Sequence, residues 1–85
     1  PIINEIVPYL YLGDIVAAEN LELIQKLHIK TVVSLVKEEI HPYPFVTYFK
    51  FPINDSRDSD IKSLFNETNE ILKKSLQRQE RVLVH

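Results

Sequence analysis

The run Thr31-Val32-Val33-Ser34-Leu35-Val36 constrains the fold more than any other part of the chain. It is β-branched and almost wholly apolar, so it offers no wet face. A strand of that kind is predicted to be buried on both faces, as strands of parallel sheets are. Arg81 to Val84 is a second short apolar strand run. Between them, Phe45 to Ile53 alternates. Phe45, Thr47, Phe49, Phe51 and Ile53 face one way, and Val46, Tyr48, Lys50 and Pro52 the other. A polar loop, Asn54 to Asp60, then caps a helix over roughly Asp60 to Gln79. Its apolar stripe is predicted to be Ile61, Leu64, Phe65, Thr68, Leu72 and Leu76.

The first third of the chain fits the same plan. Glu5 to Leu12 reads as one or two short strands interrupted by Pro8, which is tolerated at an edge or a strand start. Tyr9 and Tyr11 are expected to pack at the edge of the sheet. Asp14 is placed to cap a helical turn over Ile15 to Ala18. Asn20 is placed to cap a second helix, Leu21 to Leu27, with Leu23, Ile24 and Leu27 on one face. His28 follows, where a helix end often needs a left-handed residue. Alternating strands and helices predict an α/β fold with a mostly parallel central sheet flanked by helices. Few helices are available to cover both faces of that sheet, so the chain is expected not to be a stable monomer alone.

Composition removes several classes of function. The 85 residues make one small domain, and their net charge is -2 with no basic cluster, which disfavours nucleic acid as a partner. No apolar run approaches the roughly 20 residues of a membrane span. With no cysteine, the chain holds neither a disulfide framework nor a cysteine-based zinc site. With one glycine, Gly13, it holds no glycine-rich phosphate cradle. His28, His41 and His85 lack metal-ligand spacing, and the loop from Asn54 to Asp60 lacks the glycine and spacing of a calcium loop, so no metal or cofactor is expected.

Two residues at strand carboxyl ends can move a proton: Asp55 and His85. A crossover helix separates them, so both are expected at one edge of the sheet, where open α/β folds bind ligands. Each also has a plain structural reading. Asp55 sits in a loop rich in turn formers and caps, and a histidine at a strand end is commonly a hydrogen-bonded structural residue. Arg57 is expected to face solvent.

Five blocks in order then carry a resemblance. They are Val7-Pro8-Tyr9-Leu10-Tyr11-Leu12-Gly13-Asp14, Ala17-Ala18 with Asn20-Leu21, Leu27 to Leu35, Phe51-Pro52-Ile53-Asn54-Asp55, and Arg81-Val82-Leu83-Val84-His85. Together they resemble the N-terminal half of a dual-specificity protein phosphatase domain, of the cysteine-based protein tyrosine phosphatase superfamily. His28 departs from the family, which often has glycine there. The resemblance implies that residues 1–85 are the N-terminal part of one catalytic domain, cut before the signature loop of Cys, five residues and Arg. It implies that Asp55 is the general acid and that His85 precedes the nucleophile and supports its loop. The parent would act on phosphotyrosine and phosphoserine or phosphothreonine through a cysteinyl-phosphate intermediate, and the 85 residues alone would be inactive. Expected partners are a phosphoprotein substrate, a protein kinase and the remainder of the domain; the expected location is the cytoplasm or nucleus. A catalytically dead pseudophosphatase that binds phosphoproteins has the same blocks, and a rhodanese-like interaction module is a third reading.

Overall fold

Residues 2–53 and 58–85 are described by the computed structural model, the side chains of residues 58–61 excepted. In chain order the elements are β1 (Ile3–Val7), β2 (Leu10–Gly13), α1 (Ile15–Ala18), α2 (Leu21–Lys26), β3 (Ile29–Ser34), β4 (Thr47–Lys50), α3 (Asp58–Gln77) and β5 (Arg81–Val84). The strands form one sheet in the order β1-β2-β5-β3-β4. β1 pairs antiparallel with β2, and the other three pairings are parallel. The last strand in sequence is thus the middle strand in space.

This order explains how so few helices reach both faces. The connection from β2 to β3 crosses over β5 in one direction, and that from β4 to β5 crosses over β3 in the other. Right-handed crossovers that travel in opposite directions put their helices on opposite faces. The core divides accordingly. Tyr11, Ala18, Ile24, Ile29, Val32, Val46 and Leu83 form one cluster under α1 and α2. Val33, Val82 and Val84 form the other, with Ile71 and Leu72 of α3 packed against it. Val32, Val33, Val82 and Leu83 have no exposed surface. Each such side chain contributes about 1.5–3 kcal/mol by leaving water.

Two expectations need correction. Tyr11 is a core residue and not an edge residue, because β2 is an inner strand. Tyr9 is half-buried, its ring 5.2 Å from the Arg81 guanidinium carbon. α3 turns most of its predicted stripe to the sheet, Leu64, Thr68, Leu72 and Leu76, but Phe65 lies outside the buried face and Ile71 and Ser75 join it. Thr68 and Ser75 are buried and Ile71 is half-buried, while Phe65 is 47% exposed. Small polar residues let the helix backbone approach the sheet more closely than a phenylalanine would. The cover on this face is uneven: Ile6 and Leu12 remain 55% and 52% exposed beside Leu72 and Val84.

The helix ends follow the sequence. Asp14 accepts from the Ala17 N–H at 2.8 Å, and Asn20 from the Leu23 N–H at 3.0 Å. His28 adopts φ 56°, as its position after α2 requires. Gln79 does the same after α3, where the Gln79 N–H donates to Leu76 and the Glu80 N–H to Ser75. A side chain at such a position carries about 1–2 kcal/mol of backbone strain that glycine lacks. His28→Gly is therefore expected to stabilise the full-length protein by up to about 1 kcal/mol after glycine's extra chain entropy. His28→Val is expected to destabilise it, and urea unfolding of both variants checks the pair.

Candidate functional site

The parallel strands β2, β5, β3 and β4 bring their carboxyl ends to one edge of the sheet. His85 follows β5 there and is held on its backbone by β3. Its N–H donates to the Val33 carbonyl at 3.0 Å, and its carbonyl accepts from the Leu35 N–H at 2.9 Å. The ring lies on the α1 side, because side chains alternate along β5 and Leu83 already faces that way. Nε2 of His85 lies 2.6 Å from the Ser34 hydroxyl, with both residues buried. Nδ1 is buried with no hydrogen-bond partner among the described residues. Ser34 was not singled out in the sequence. The signal was present as the one polar residue within the apolar part of a buried strand.

His85 lines a cavity of about 420 Å³ with Gly13, Asp14, Ile15, Val36 and Glu38. Gly13 is glycine because space is short: an added Cβ would lie 3.0 Å from the Ile2 carbonyl oxygen and 3.1 Å from Leu83 Cδ1. Asp14 is committed to structure. One carboxylate oxygen caps α1 and the other accepts from the Ile2 N–H at 3.2 Å. These bonds, led by that from Ala17, hold its pKa below the ordinary carboxylate value. Glu39 is tied up in a 2.6 Å pair with Lys50. The charged groups that line the cavity, Asp14 and Glu38, are carboxylates.

Burial pushes the His85 pKa below its ordinary value, outweighing the pull of Glu19, Asp14 and Glu38 in the other direction. The ring is therefore neutral at pH 7. Asp55 and Arg57 lie outside the described residues. The chain leading towards them is described, and it runs along β3 to the same edge. The Phe51 N–H donates to Ser34 at 2.7 Å and the Ile53 N–H to Leu35 at 3.2 Å. The other histidines lie elsewhere. His28 is exposed at the far end of α2, and His41 is exposed with its ring against Tyr43.

The sign of the His85 shift fixes a pH dependence. Below about pH 6.5 the unfolded chain binds a proton on His85 that the folded chain does not yet take up. Stability is therefore expected to fall as pH drops through 6.5 towards the lowered folded value. Asp14 acts in a separate window, below its ordinary 3.8. Thermal midpoints of the full-length protein and of His85→Gln between pH 7.5 and 4.5 test this: the slope in that range should shrink in the variant.

Comparison with known proteins fits this architecture. Residues 10–85 match the family model of the dual specificity phosphatase catalytic domain. A protein phosphatase Slingshot homolog of Xenopus laevis is 30% identical over 83 residues, which cover 96% of this chain and 12% of that protein. The crystal structure of DUSP15 superposes with a TM-score of 0.85 at 24% identity, over 98% of this chain and 53% of that one. The human tyrosine phosphatase-like serine/threonine/tyrosine-interacting protein gives a TM-score of 0.80 at 27% identity, over 98% of this chain and 60% of that one. The chain thus spans a little over half of these two solved relatives. The rhodanese-like reading is set aside by the family match.

Proposed function

The chain belongs to the dual specificity phosphatase catalytic-domain family, and from that premise we propose that it is the N-terminal part of one such domain. The parent hydrolyses phosphotyrosine and phosphoserine or phosphothreonine in proteins, in the cytoplasm or nucleus, with a protein kinase among its phosphoprotein partners. The observation that carries this reading is the family match over residues 10–85, which ends on the residue that the central strand delivers to the ligand edge.

The chemistry divides between this chain and the rest of the domain. The 85 residues contain no cysteine, so the thiolate must come from outside them, and alone they are inactive. In the first step sulfur bonds to phosphorus and the ester P–O bond breaks. Asp55 gives its proton to the leaving oxygen, which would otherwise depart as an alkoxide or phenoxide. In the second step water attacks phosphorus, Asp55 takes the water's proton, and the S–P bond breaks to release phosphate. His85, neutral and held rigidly by β3 and Ser34, anchors the start of the nucleophile's loop. The cation that receives the phosphoryl oxygens is also supplied from beyond this chain's cavity, whose charged lining is acidic.

A second reading draws on the solved relative described as tyrosine phosphatase-like and interacting: the same fold binding phosphoproteins without turnover. The full-length protein separates the two. Turnover of phosphotyrosine and phosphoserine peptides is expected, with Asp55→Asn lowering kcat by about 10²- to 10⁴-fold near neutral pH. Peptide binding without hydrolysis establishes the second reading, and full activity of Asp55→Asn removes the role given to Asp55.

A further inference from the structure

The mechanism uses His85 for its position, and the structure says more about which of its nitrogens carries the proton. Nε2 and the Ser34 hydroxyl are 2.6 Å apart, and among the described residues each is the other's side-chain partner. Nδ1 is buried and, among the described residues, unpartnered. Two proton arrangements are compatible with a neutral ring. In the first, the Ser34 O–H donates to Nε2 and the ring proton sits on Nδ1. A single polar group, the Nδ1–H, is then left without a partner among the described residues. In the second, Nε2–H donates to Ser34. The hydroxyl proton and the Nδ1 lone pair are then both orphaned in a buried place. Each buried polar group left unpaired is costly, so the first arrangement wins.

We infer that Ser34 is a positioning residue that locks His85 as the Nδ1–H tautomer, so that the ring presents one N–H donor at the carboxyl edge of the sheet. This deepens the phosphatase reading and rests on it for its catalytic meaning. A neutral ring with a fixed donor orders an acceptor at the ligand edge without adding a charge there. The end of β4 pins Ser34 in turn. Its carbonyl accepts from Phe51 at 2.7 Å, and it pairs in register with Lys50. The serine thus ties the two strand ends that lead to Asp55 and His85. The other charged groups around the ring, Glu19, Asp14 and Glu38, are carboxylates and make no hydrogen bond to it.

The test is long-range ¹H–¹⁵N spectroscopy on the full-length protein labelled at histidine, followed by kinetics on the same samples. Wild type should show His85 in the Nδ1–H pattern. Ser34→Ala should lose that pattern and lower kcat by up to about 100-fold with little change in KM, as a misplaced group does. Ser34→Thr, which keeps a hydroxyl, should restore both. An Nε2–H pattern in wild type overturns the inference, and so does a pattern and kcat left unchanged by Ser34→Ala. Wild type alone decides the first point, so a variant that misfolds does not shield the idea. A wild type that shows the serine-dependent pattern but turns over no phosphopeptide contradicts the phosphatase reading while supporting the Ser34 assignment.

Discussion

The insertion of β5 between β2 and β3 is the interaction on which the rest of the structure depends. It joins the last residues of the chain to the first strand pair and to the middle of the molecule. Until β5 is in place the sheet is two separate pieces: the β1–β2 hairpin and the β3–β4 pair. Val82, Leu83 and Val84 then close both core clusters at once, because alternate side chains of one strand supply opposite faces. The same step brings His85 to Ser34. Fold and site are completed by one strand.

That dependence explains which parts were legible in the sequence. Local rules identified β3, β5, the Asp14 and Asn20 caps and the left-handed His28, because each rests on residues close in the chain. The alternation of β4 also held: Val46 joins one cluster and Phe51 packs against the other. Features set by strand order were not legible. Tyr11 read as an edge residue because nothing near it announces that β5 will lie alongside. The stripe of α3 held at Leu64, Thr68, Leu72 and Leu76, but apolar spacing also favours Phe65, whereas the sheet takes Ser75 for close approach. Ser34 escaped notice for the same reason. A serine in an apolar strand acquires meaning once a residue 51 positions away is placed beside it.

The site shows a division of labour between burial and charge. Among the described residues, the cavity beside His85 offers a neutral imidazole, an aspartate that caps α1 and the glutamate Glu38. None of these attracts a phosphate group. What the chain contributes is geometry: a rigid strand end, a fixed ring and a route for the loop that carries Asp55. An anion in this cavity therefore needs cations and backbone donors from outside its described lining. The two solved relatives have longer chains, of which this one covers 53% and 60%.

The central claim is that the phosphoryl group binds at the carboxyl edge of the sheet, beside His85. Titration of the full-length protein with orthovanadate, followed by backbone amide shifts, tests it directly. The account predicts that the largest shifts fall on Gly13, Ser34, Leu35 and His85, with Lys30, Thr31 and Arg81 at the opposite edge unmoved. Shifts concentrated at that opposite edge would contradict it.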